Sequence, residues 1–208
     1  MSGIRRILFA TGNEGKMREI RSILADTGAE VLSMKEAGIS IDIVEDGTSF
    51  EENALIKARA VAAAWKEPES VVLADDSGLV IDALGGEPGI YSARYMGENT
   101  SYDKKNANLI ERLEGISDEK RSASFVCAIA AVLPDGREFT VQDAIEGRIG
   151  YEQKGEGGFG YDPIFYVPEF KKTTAEMTAE EKNRVSHRGK ALEHMKEVLR
   201  ENEGFDCK

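Results

Sequence analysis

The sequence predicts an α/β protein built on a mixed β-sheet. Three observations carry that reading. Short apolar runs at residues 7–10, 31–34 and 71–74 alternate with stretches of helical periodicity. Two longer β-type runs, 122–133 and 137–146, flank Pro134-Asp135-Gly136 and read as a hairpin. Leu192, Met195 and Leu199 then recur on one face of a last amphipathic helix over 188–202.

The elements follow in order. Residues 7–10 form the first strand. Met17, Ile20, Ile23 and Leu24 recur at helical spacing and predict a helix that ends near Gly28. Residues 31–34 are the second strand, and the acidic stretch 38–48 is a loop. Ser49 followed three residues later by Glu52 is a capping-box signature, and the alanine-rich segment 52–65 is a well-formed helix. The β-branched run 71–74 is a buried strand that delivers Asp75-Asp76-Ser77-Gly78 at its carboxyl end. Residues 85–100 hold four glycines and a proline and read as a long loop, and 104–113 is a helix. Residues 154–163 are a glycine-rich loop.

Composition bounds the function. The 208 residues carry a formal net charge of −11. Nonspecific nucleic-acid binding needs a basic stripe, so a nucleic-acid partner is not expected and any phosphate must be held locally. The longest apolar run, 125–133, has nine residues, against the ~20 that a membrane helix needs. No signal-peptide pattern is visible, so the expected location is cytoplasmic. Cys127 sits inside that run and Cys207 near the C-terminus; two such cysteines form neither a disulfide framework nor a zinc site and read as structural. With no repeat or linker, residues 1–208 are expected to form a single domain.

Five segments carry chemistry. In Thr11-Gly12-Asn13-Glu14-Gly15-Lys16 a strand hands over to a helix. A helix N-terminus offers unpaired N–H groups, glycines admit close approach and Lys16 adds charge: either a tight turn or a phosphate cradle. Asp75 and Asp76 would repel unless a cation or donors hold them, and successive strand residues point to opposite faces. The pair is an acidic turn, or one member is a magnesium ligand, since magnesium takes oxygen donors from one or two carboxylates plus substrate phosphate. Asn53 and Lys57, four apart, share a helix face. The segment 155–163, GEGGFGYDP, either presents Phe159 and Tyr161 from a mobile loop or is a hairpin-like loop that tucks both into the core. A purine stacked there would gain ~1–3 kcal/mol, with Asp162 accepting from the base. Finally, residues 182–189, KNRVSHRG, concentrate basic side chains before the last helix. His187 and Arg188 either cap a helix and pair with glutamates or serve a ligand, since arginine suits phosphate or a base carbonyl.

In this order the segments closely resemble the inosine triphosphate pyrophosphatase family, the noncanonical purine triphosphate pyrophosphatases. The resemblance runs nearly end to end, through ATGNEGK, SFEENALIKA, LADDSGLVIDALGGEPGIYSARYMGE, GGFGYDPIF and SHRGKAL. It implies an elongated mixed central β-sheet flanked by helices, with two lobes and the active-site cleft between them. It implies magnesium-dependent hydrolysis of ITP, dITP and XTP to the monophosphate and pyrophosphate, by a homodimer. Residues 91–96 then line a subunit interface or pack the loop. Thr11, Gly12, Asn13, Glu14, Gly15 and Lys16 would hold the triphosphate with Lys57 nearby. Asp76 would be general base and metal ligand, helped by Glu45 and Asp75. Ser77, Phe159, Gly160, Tyr161, Asp162, Lys182, His187 and Arg188 would contact the substrate. A pyrophosphatase acting on other nucleotides, a nucleotide sensor without catalysis and an interaction scaffold are the competing readings.

Overall fold

Strand β1 (Arg6–Phe9) is a short run of large apolar residues whose last three are buried. It pairs in parallel with β2 (Glu30–Ser33) on one side and with β3 (Ser70–Ile81) on the other. The computed structural model describes residues 4–203. Strands β4 (Ser122–Val132), β5 (Glu138–Ile149), β6 (Phe165–Val167) and β7 (Lys172–Thr173) complete a seven-stranded sheet of order β2-β1-β3-β4-β5-β6-β7. Strands β5, β6 and β7 pair antiparallel, so the sheet is mixed, as the sequence predicts. The helices are α1 (Glu14–Ile23), α2 (Phe50–Ala64), α3 (Tyr102–Arg112), α4 (Ala179–Val185) and α5 (His187–Glu203).

The described residues divide into two compact units. The first comprises residues up to Asp76, 127–143 and those from Arg188 onward. Its core sets Ile7, Phe9, Val71, Leu73, Cys127 and Ile129 from the strands against Met17 and Ile20 of α1 and Leu192, Met195 and Leu199 of α5. Those strand residues are all odd-numbered, because alternate side chains share one sheet face. The second unit comprises residues 77–126 and 144–187. Its core gathers Leu79, Ile81, Leu109, Leu113, Phe125, Ile145, Tyr161, Ile164 and Phe165.

Local chemistry explains most boundaries. Asn13 caps α1 by accepting the Lys16 N–H on Oδ1 at 3.0 Å. Ser49 caps α2 by accepting the Glu52 N–H at 3.2 Å. The Glu52 carboxylate reaches back one residue further than the signature predicts, to the Thr48 N–H at 2.7 Å and the Thr48 hydroxyl at 2.8 Å.

One strand differs in length from its prediction. Asp75-Asp76-Ser77-Gly78 lies in the middle of β3 and not at its end. Polar residues end a strand when water must satisfy them; here lysine and arginine partners satisfy the two aspartates inside the protein. Cys127 is buried, and Cys207 lies outside the described residues.

Candidate active site

In the first unit, adjacent aspartates on β3 serve two different clusters. Asp75 shares its sheet face with Val71 and Leu73, beneath α1 and α5. Lys16 of α1 approaches its carboxylate at 2.9 Å, and Arg188 of α5 donates through Nη2 at 3.0 Å and Nε at 3.3 Å. The remaining Arg188 nitrogen, Nη1, donates to Glu19 at 2.6 Å. Burial pushes Asp75 up, but Lys16, Arg188 and Lys57 outweigh it and hold the carboxyl far below the usual range.

Asp76 points the other way, toward α2. Lys57 Nζ lies 2.8 Å from Asp76 Oδ1 and 2.8 Å from Glu45 Oε2, so one ammonium bridges two carboxylates. Asn53 Nδ2 meets Asp76 Oδ2 at 3.5 Å, while its Oδ1 accepts the Gly47 N–H at 2.9 Å. The predicted shared face of Asn53 and Lys57 is thus the face turned to Asp76. Burial raises the Asp76 pKa, Lys57 and Lys16 pull it down, and Glu45 pushes it up again; the net direction is upward. The Lys57 pKa is raised as well: burial pulls it down, but Asp76 and Asp75 outweigh that, and it stays charged.

Thr11, Gly12, Asn13, Glu14 and Gly15 sit in the same unit, at the α1 N-terminus beside Lys16. Asn13 N–H donates to Thr11 Oγ1 at 3.2 Å, closing the turn. Gly12 is exposed; a Cβ there would meet nothing within 4 Å, and its φ is not left-handed. The turn itself does not require a glycine at that position. A close-approaching ligand would.

The second unit holds the glycine-rich loop. Asp162 is buried and accepts three bonds at 2.7 Å: from the Phe159 N–H and Lys182 Nζ on Oδ2, and from the Thr174 hydroxyl on Oδ1. Lys182 Nζ also lies 4.8 Å from the Phe159 ring centroid. Tyr161 belongs to the core, and its hydroxyl donates to the Ser92 carbonyl at 2.7 Å. Gly160 is half-buried, and its carbonyl accepts from Asn106 Nδ2 at 3.2 Å. His187 is buried with its ring stacked on Phe125, centroids 4.9 Å apart. Ser77 is half-buried in this unit.

The glycines are placed for close approach of backbone to backbone. Gly157 N–H donates to the Ala175 carbonyl at 3.0 Å, and Cβ atoms at Gly155 and Gly158 would lie 2.5 Å from Ala175 C and 2.1 Å from Asp162 Oδ2. Thr174 and Asn106 are polar contacts that the sequence does not single out. For Thr174 a signal exists: Thr173 and Glu176 have the S/T-x-x-E spacing and form a capping box around it.

The donor chemistry suits a hard divalent cation. Asp76 and Glu45 present carboxylate oxygens to one cationic point, and two carboxylates plus phosphate and water are what magnesium takes. Among the described residues no group of three or more His, Cys, Asp or Glu forms a complete protein cage.

The mixed α/β sheet thus carries a buried aspartate pair, each member matched to lysine or arginine. The chain belongs to the Ham1 family, whose profile matches residues 7–198. It is 46% identical over 200 residues to a dITP/XTP pyrophosphatase of Clostridium perfringens, covering 95% of this chain and 98% of that one. It is 47% identical over 194 residues to a dITP/XTP pyrophosphatase of Desulforamulus reducens, covering 93% and 95%. Its fold matches the Ham1 protein of Staphylococcus aureus with a TM-score of 0.83 at 40% identity, covering 95% of this chain and 99% of that one.

Proposed function

We propose that this protein hydrolyses noncanonical purine nucleoside triphosphates, ITP, dITP and XTP, to the monophosphate and pyrophosphate. The observation that carries the reading is Lys57 Nζ of α2, 2.8 Å from both Glu45 and Asp76, the residue that follows Asp75 with its partners Lys16 and Arg188 on β3. A substrate with roughly four negative charges would be met by Lys16 and Lys57 together with a divalent cation held by Asp76 and Glu45. The names of relatives at 46–47% identity support the same substrate class.

In the proposed reaction, Asp76 takes a proton from water as the water oxygen bonds to the α-phosphorus. The bond to the bridging oxygen breaks, and pyrophosphate leaves. An elevated carboxylate pKa suits that task, because a general base works best when its pKa lies near the working pH. Lys57 steadies the Asp76 and Glu45 carboxylates, and Thr11, Gly12, Asn13, Glu14, Gly15 and Lys16 take the triphosphate. Asp76 and Glu45 would hold Mg2+, which when bound neutralises charge on the phosphate oxygens. Arg188, whose three nitrogens donate to Asp75 and Glu19, acts on Asp75 in this scheme and not on the base.

Phe159, Gly160, Ser77 and His187 contact the purine, with Tyr161, Asp162 and Lys182 shaping that surface from behind. A donor aimed at a 6-oxo group faces another donor in adenine, and a hydrogen-bonding site can discriminate by ~10⁴ or more. The same proposal includes a homodimer, supported by the exposed side chains of Tyr91 and Met96, and a cytoplasmic location. Among the described residues no helix is long and apolar enough to cross a membrane.

Pyrophosphate release across ITP, dITP, XTP, ATP and GTP, with and without magnesium, tests the reading. Metal-dependent turnover of the first three is expected. Turnover of ATP as efficient as that of ITP would overturn it.

A further inference from the structure

We infer that Thr174, through its hydroxyl bond to Asp162, is a positioning residue that sets the affinity of the Phe159 turn for the purine base. This inference rests on the proposed base-binding role of that turn and assigns a residue to its support.

The argument begins with the Thr173–Glu176 turn. Thr173 and Glu176 form a reciprocal capping box, with the Thr173 N–H donating to Glu176 Oε2 at 2.8 Å. The Thr173 hydroxyl donates to the Lys154 carbonyl at 2.8 Å. The turn is therefore closed on itself and tied to Lys154 at Thr173, and Thr174 and Ala175 within it are buried. It is a fixed support.

Two contacts join the glycine-rich loop to this support. The first is backbone: the Ala175 carbonyl accepts from Gly157 at 3.0 Å, and Gly155 passes so close that a Cβ would lie 2.5 Å from Ala175 C. The second is the Thr174 hydroxyl, which donates to Asp162 Oδ1 at 2.7 Å and lies 3.2 Å from the Asp162 carbonyl. That bond orients the Asp162 carboxylate so that Oδ2 meets the Phe159 N–H and Lys182 Nζ, each at 2.7 Å. Oδ2 also fills the space where a Gly158 side chain would stand.

Each oxygen of the carboxylate therefore has its own task. Removing the hydroxyl leaves Oδ1 buried without that donor, a state that proteins avoid by rotating or shifting the group. Rotation carries Oδ2 off the Phe159 N–H and draws Lys182 away from the Phe159 ring. The turn that presents the ring then loses its fixed geometry, while the triphosphate-holding residues 11–16 at the α1 N-terminus are untouched.

The test compares wild type, Thr174→Val, Thr174→Ser and Phe159→Ala. Readouts are the inhibition constants of IMP, which has the base, and inorganic tripolyphosphate, which lacks one, with KM and kcat for ITP and the melting temperature. In Thr174→Val the IMP constant and the KM are expected to rise about tenfold, with kcat and the tripolyphosphate constant unchanged. Thr174→Ser keeps the donor and is expected to bind IMP as wild type does. Should the valine variant not fold, Thr174→Ala provides the same comparison. Wild-type IMP binding in the donor-less variant overturns the proposal, as does equal weakening of IMP and tripolyphosphate. If Phe159→Ala binds IMP normally, the base-binding reading itself falls.

Discussion

Arg188 and Asp75 stand 113 positions apart in the chain, yet they form an ion pair with both side chains at 2% exposure or less. The guanidinium holds the carboxylate through two nitrogens and Glu19 through the third. Such a pair fixes where α5 meets the sheet of its own unit.

Arg188→Met is therefore expected to destabilise the protein by about 3–5 kcal/mol, because Asp75 and Glu19 lose a buried partner. Urea unfolding measures it. Adding Asp75→Asn to the same chain is expected to cost less than the sum of the two single changes, since the couple is removed together.

Asp76→Asn is expected to fold and to lose turnover of ITP by about 10²–10⁴-fold, the usual worth of a positioned general base. Circular dichroism and pyrophosphate release on the same sample separate loss of fold from loss of chemistry. Near-normal turnover in a folded variant would remove Asp76 from its proposed role.

Cys127 supplies a pH dependence. Burial pushes its thiol up to about 12, with Asp75 adding to the effect. The folded value lies above the ordinary ~8.5 of a thiol, so its contribution is fully present below that pH. It is lost progressively as pH rises from there toward the folded value, because the unfolded chain releases the proton first. Melting temperatures between pH 8 and 11 should fall more steeply for wild type than for Cys127→Ala.

Two glycines with left-handed φ separate backbone strain from steric need. A Cβ at Gly115 (φ +74°) meets nothing within 4 Å, whereas one at Gly158 (φ +71°) falls 2.1 Å from Asp162 Oδ2. Gly115→Ala is expected to cost roughly 1 kcal/mol from backbone conformation alone. Gly158→Ala should cost more and also raise the KM for ITP. Chemical denaturation and steady-state kinetics on the two variants make the comparison.

The sequence was most informative where one residue's neighbours along the chain decide its state. The helical spacing of Met17 and Ile20, the Ser49 cap and the alternation of β3 are local and readable, and the structure agrees with them. Short pieces are not legible: β6 and β7 have three and two residues, too few to display a period. Partners distant in the chain are not legible either. Nothing near Arg121 announces that it is buried and donates to the carbonyls of Leu113, Ile149 and Gly150. Nothing near Tyr161 announces that its hydroxyl meets Ser92. The glycine run was legible as glycine-rich but not as tightly packed, because Ala175, which it touches, lies well downstream.

The alternation that sends Asp75 to one side of β3 and Asp76 to the other carries an implication for how the gene can change. Deleting or inserting a single codon within residues 70–74 would turn every later side chain of the strand over. A deletion would carry Asp76 to the place that faces Arg188 and Lys16 and Asp75 to that of Ala74; an insertion would carry Asp75 to the place that faces Lys57 and Asp76 to that of Ser77. Composition, charge and hydrophobicity would barely alter, yet neither aspartate would keep its partners. This stretch of β3 should tolerate exchange of one β-branched residue for another far better than any change in its length.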